Sequence, residues 1–79
     1  MNDLRRYCQL AIKLARVVKL DGDEGYVAKI PGFRGLLATG ENKREVLKEL
    51  AGALEAWVLL ALRRGMGLPK LKLPEEVTA

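Results

Sequence analysis

The stretch NKREVLKELAGALEAWVLLALRR, residues 42–64, decides the fold, because it reads as one uninterrupted helix. Asn42 stands three residues before Glu45, which is capping-box spacing. The Asn side chain can accept from the Glu45 amide, and the Glu45 carboxylate can reach back to the Asn42 amide. At the far end Arg63 and Arg64 place cations beside the negative pole of the helix dipole, and Gly65 tolerates left-handed backbone. No proline intervenes. Leu47, Leu50, Leu54, Trp57, Val58 and Ala61 recur at helical spacing, so one face is apolar throughout. The second half carries more apolar surface than one face requires, since every residue from Ala56 to Leu62 is apolar. So short a chain has little else with which to enclose it. Trp57, Val58, Leu59, Leu60 and Leu62 are therefore expected to meet another copy of the chain.

A chain of 79 residues makes one small domain, and domains of this size bury only about 60% of the surface their unfolded chains expose. Nearly half the residues, 49%, are hydrophobic, which places the chain among folding rather than disordered sequences. Lys and Arg together number 14 against 10 acids, a formal charge of +4. That excess is mild for a nucleic-acid-binding domain. The single cysteine, Cys8, excludes an internal disulfide and suits a reducing compartment. The N-terminus has no apolar core of a signal peptide, and the Ala56–Leu62 run is too short to span a bilayer. A cytoplasmic protein with no membrane association is expected.

Ahead of the long helix, Asn2 can cap a first helix over about residues 3–14, with Leu4, Tyr7, Cys8, Ala11, Ile12 and Ala15 on one stripe. Cys8 on that stripe reads as a small buried hydrophobe. Strands are expected over about 15–20, 26–30 and 35–39. The first two are joined by the turn Asp21-Gly22-Asp23-Glu24-Gly25, and so form an antiparallel hairpin. The acidic turn is not a calcium loop, because the twelfth position, where a bidentate glutamate belongs, is Gly32. Pro31-Gly32-Phe33-Arg34-Gly35 interrupts the sheet, and Phe33 either stays exposed at the loop tip or folds back onto the core. After Gly65, Lys70 and Lys72 alternate with Leu71 and Leu73 between two prolines, the pattern of a short edge strand over about 68–73.

Catalytic chemistry finds no foothold here. The chain has no histidine, so neither a Ser-His nor a Cys-His nucleophile can form, and no Cys/His cluster exists for zinc. Glu45 and Glu49 lie one turn apart, but Arg44 and Lys48 beside them mark a solvated face. Neither an enzyme nor a cofactor is expected.

The segment Tyr26-Val27-Ala28-Lys29-Ile30-Pro31-Gly32-Phe33-Arg34-Gly35, then Ala38-Thr39-Gly40 and the capped helix, resembles the HicB family of antitoxins. Trp57-Val58-Leu59-Leu60, Arg63-Arg64-Gly65 and Leu68-Pro69 are similar to that family's helix ending and return segment. The N-terminal helix is similar to that of small HicB-like proteins, and the likeness runs from about Leu4 to Leu73. The resemblance implies an α+β fold: a three- or four-stranded, mainly antiparallel sheet backed by one long helix, in a partial RNase H-like arrangement. It also implies a partner, a small HicA-type toxin that cleaves RNA and that the antitoxin covers. The first strand, Arg16 to Leu20, holds none of the carboxylates that RNase H chemistry needs.

Many HicB proteins continue into a DNA-binding segment. None follows within these 79 residues, so direct DNA binding is not expected. The surface expected to meet the toxin comprises the acidic turn, Asp21, Asp23 and Glu24, and the loop residues Phe33 and Arg34. Two other readings stand beside this one. The chain could be a homo-oligomeric module with a different partner. It could also bind RNA weakly through Arg5, Arg6, Arg34, Arg63 and Arg64, although Tyr7, Tyr26, Phe33 and Trp57 are scattered rather than gathered as a stacking platform.

Overall fold

The computed structural model describes residues 2–71, with the side chains of residues 2 and 3 excluded. The elements in order are helix α1 (Asn2–Ile12), strands β1 (Arg16–Lys19), β2 (Tyr26–Lys29) and β3 (Leu37–Gly40), and helix α2 (Lys43–Arg63). The strands form one antiparallel sheet in the order β1-β2-β3. The α+β class, the hairpin and both helices are as the sequence indicates. Asn2 as a cap lies outside the described side chains. Helix α1 ends at Ile12 rather than near residue 14, because Leu14 and Ala15 donate to Ala11 and Ile12 in tight three-residue turns of 2.9 and 3.1 Å.

Strand register sorts the side chains by face. Val17 pairs with Ala28 and Ala28 with Ala38, so these three lie in one row on the face toward the helices. The opposite face carries Arg16, Lys29 and Leu37 in one row and Val18, Val27 and Thr39 in the next. Ala28 and Ala38 are small, which lets α2 approach the sheet closely; it packs chiefly on β3 and β2, with α1 beside it. Val46, Leu50, Leu54, Val58 and Ala61 form the buried row of α2. Val46 is buried although the sequence pattern places Leu47 in the row, and Leu47 is only half-buried. Each large aliphatic side chain of this row contributes about 1.5–3 kcal/mol by leaving water.

Both ends of α2 are closed by hydrogen bonds. The Asn42 side chain accepts from the Glu45 amide at 2.8 Å. The return bond lands one residue earlier than the sequence spacing suggests: Glu45 Oε1 accepts from the Glu41 amide at 2.6 Å, not from Asn42. Asn42 is extended, with φ −148 and ψ 172, the usual backbone of an N-cap residue. At the C-terminus Gly65 has φ 73, its amide donates to Leu62 O at 3.1 Å, and Met66 donates to Ala61 O at 2.9 Å. This pair of bonds is a Schellman motif.

The fourth strand expected over 68–73 is absent from its described part. Residues 68–71 are irregular, and residues 72 and 73 lie outside the described set. Leu68 and Leu71 pack against the core, and the Pro69 carbonyl is taken by the Tyr7 hydroxyl, so side chains rather than a ladder hold this segment. Pro69, lacking an N–H, could not have joined a ladder as donor.

Replacing Asn42 by Ala removes the acceptor for the Glu45 amide, and stability is expected to fall by about 1 kcal/mol. Chemical denaturation of parent and variant checks this, and coincident midpoints would contradict the cap.

Candidate functional site

The two loops expected to act together lie at opposite ends of the sheet. In a meander, successive turns fall at opposite ends of the strand they share. Here the Asp21–Gly25 turn joins Lys19 to Tyr26, while the loop holding Phe33 and Arg34 follows Lys29 and leads to Leu37. About 10 Å of strand β2 separates them. No single compact surface contains Asp21, Asp23, Glu24, Phe33 and Arg34 together.

Phe33 is not an exposed anchor. It is 4% exposed and belongs to the core. Its ring packs on Trp57 at 4.9 Å between centroids and 57° between planes, and on Tyr7 at 6.3 Å and 51°. The Trp57 indole donates to the Arg34 carbonyl at 2.9 Å. Gly32 and Gly35, with φ 91 and 77, let the loop double back so that Phe33 points inward. The loop, both helices and the segment through Pro69 are thus joined by one aromatic cluster. Arg34 remains exposed, and its carbonyl is held there by Trp57.

The acidic turn is exposed as expected, and the fold adds to it. Asp21, Asp23 and Glu24 are all exposed. The β3–α2 junction comes to the same end of the sheet, so Glu41 lines a shallow concavity with Asp23 and Glu24, Lys19 being the cation on its wall. Two glycines permit this approach. A Cβ on Gly25, at φ 90, would stand 2.4 Å from the Gly40 carbonyl oxygen, and a Cβ on Gly40 would stand 2.7 Å from the Val46 amide. Sequence reasoning does not single out Glu41. The signal is present in the Gly25 and Gly40 positions, each flanking an acid, but pairing them requires the strand register. Glu45 has a structural duty at this end as part of the helix cap.

The opposite end is cationic. Arg34 and Arg64 line one surface with Trp57, Leu60 and Met66. The patch expected to meet another copy is divided by the fold. Val58 is 1% exposed and belongs to the chain's own core, because it continues the row of Leu50 and Leu54. Trp57 is half-buried, its ring packed over Phe33 and its indole N–H held by the Arg34 carbonyl. Leu59, Leu60 and Leu62 remain exposed at 55%, 48% and 46%. Leu59 lies on the side of α2 toward α1, whereas Leu60 lies on the side toward Arg34.

Cys8 is half-buried between the helices. Burial first, and the nearby Glu55 carboxylate second, push its thiol above the ordinary value, so it stays protonated and weakly nucleophilic at neutral pH. Burial likewise raises Tyr7, followed by the effect of Cys8. Among the described residues no three His, Cys, Asp or Glu side chains come together in a way that could hold a metal ion. No described helix is long and apolar enough to cross a membrane.

A family profile described as UPF0150-like matches residues 6–69. The UPF0150 protein ssl0259 of Synechocystis sp. (strain ATCC 27184 / PCC 6803 / Kazusa) is 40% identical over 48 residues. That match covers 61% of this chain and 66% of the relative, so the chain spans just under two thirds of the relative's length. The crystal structure of TTHA0281 from Thermus thermophilus is similar with a TM-score of 0.81 and 38% identity, over 91% of this chain and 95% of that one.

Because Phe33 is a core residue, Phe33→Ala is expected to lower stability by about 3–5 kcal/mol. Thermal or chemical unfolding measures it; an unchanged midpoint would return Phe33 to the surface.

Proposed function

We propose that this chain, which belongs to the UPF0150-like family, acts in the cytoplasm as an antitoxin-like protein that binds and masks a small HicA-type RNA-cleaving toxin. The observation that carries the reading is the separation of charge along the sheet. Asp21, Asp23, Glu24 and Glu41 gather at one end, where they outnumber the cations Lys19, Lys43 and Arg44, of a chain whose net charge is +4. An RNA-cleaving protein must present cations to phosphate, and an acidic end offers it a complementary surface that speeds encounter and fixes orientation. The HicB resemblance supports the same partner. In this reading binding rests on the acidic end, and Phe33 contributes only by holding its own loop in place.

The weak RNA-binding alternative draws on Arg34 and Arg64 at the cationic end. Its difficulty is the lack of a stacking platform: Phe33 is buried, and Tyr7, Tyr26 and Trp57 are half-buried. Self-association is part of the proposal as well, supported by the exposed Leu59, Leu60 and Leu62. The chain itself is proposed to catalyse nothing.

Co-expression with the HicA-type protein of the same genome tests the partner. The parent chain is expected to relieve growth arrest and to co-purify with the toxin. Asp23→Lys combined with Glu41→Lys, both at exposed positions, is expected to weaken the complex at least about tenfold without unfolding the chain. Growth arrest unrelieved by the parent, with no co-purification, would overturn the proposal.

A further inference from the structure

The self-association just proposed leaves open which surface is used, and the inference here rests on that reading. Helices α1 and α2 do not close completely against each other. Between them runs an open groove of about 510 Å³, lined by Leu4, Cys8, Ile12, Leu54, Val58 and Leu59. Apolar walls facing water on a chain this small call for a cover.

Knob and hole lie on the same surface. Leu59 forms part of the rim, and Leu62 stands three residues further along α2 on the same flank, where side chains are neighbours. Leu59 is 55% and Leu62 46% exposed. A patch that contains both the projecting group and the groove is self-complementary, which is the condition for a two-fold contact.

Charge agrees. Arg5 stands on the α1 wall and Glu55 on the α2 wall, both exposed. One cation and one anion on opposite walls match their own image under a two-fold rotation. The outer face of the sheet also exposes Val18 and Leu37, but its strand residues carry the cations Arg16 and Lys29 and no acid, so it offers no pair of opposite charges to its own image. With extents of 39 × 34 × 20 Å the chain is large enough to bury the roughly 800 Å² per partner that stable dimers do.

We propose that the α1–α2 groove is a two-fold interface between copies of this chain, with Leu59 and Leu62 of each copy seated in the groove of the other and Arg5 of each facing Glu55 of its partner. Cys8 lies in the groove, so the dimer covers it. This supplies a probe that needs no mutation.

The test combines sedimentation equilibrium of the full chain with the rate at which an aromatic disulfide reagent modifies Cys8. A dimer is expected at micromolar concentration, and the Cys8 rate is expected to fall as protein concentration rises through the dimer range. Glu55→Arg or Arg5→Glu alone is expected to weaken the dimer at least about tenfold, since each sets like charges together twice per dimer. The double exchange, Arg5→Glu with Glu55→Arg, is expected to recover most of the loss. Circular dichroism of each variant separates dissociation from unfolding. A dimer whose Cys8 rate ignores concentration and which tolerates both single reversals overturns the groove while leaving self-association standing. A chain that stays monomeric at all concentrations overturns both.

Discussion

The structure depends on one buried row along α2. Val46, Leu50, Leu54 and Val58 are each at most 1% exposed, and together they hold the helix against the small residues Ala28 and Ala38 of the sheet. A two-layer domain of this size has no second core to fall back on. The close approach of helix and sheet also decides where the connections run. Gly40 must lack a side chain because Val46 begins the row immediately over it, and Gly25 must lack one because Gly40 is its neighbour. The acidic end is a by-product of this packing, drawn together by two backbones too close for a Cβ.

Much of this is legible in the sequence. The caps of α2, its apolar stripe and the hairpin turn follow from local rules that depend on a few neighbouring residues. The HicB-like order of motifs, from Tyr26 to Gly40 and on into the helix, falls within the region matched by the family to which the chain belongs. What is not legible depends on distant contacts. Phe33 looks like an exposed tip because its loop is rich in glycine, but the same glycines fold it under Trp57. The alternation of Lys70 and Lys72 with leucines resembles a strand, yet Leu68 and Leu71 serve as anchors on the core and Tyr7 holds the Pro69 carbonyl. Glu41 joins the acidic end only through strand register. The apolar run from Ala56 to Leu62 looks like one surface and is three: Val58 inside, Leu59 toward α1, and Leu60 toward Arg34.

The functional reading follows from that division. Acids collect at one end of the sheet, Arg34 and Arg64 at the other, and the exposed leucines lie on the helical layer. Under the proposed function the first surface is the one offered to a cation-rich partner, and under the proposed dimer the groove between the helices is the one offered to a second copy. The two can be occupied at once, because the acidic end is built from the hairpin turn and the β3–α2 junction, and the groove from α1 and the second half of α2. The proposed dimer would then present two masking surfaces, one from each chain.

The most direct measurement is cleavage of a defined RNA by the purified HicA-type toxin as the purified chain is titrated in, at low and at physiological salt. The account predicts that cleavage stops near equimolar chain, and that tighter inhibition at low salt is lost when the acidic end is reversed in charge. Cleavage that continues unabated in a large excess of the folded chain would contradict it.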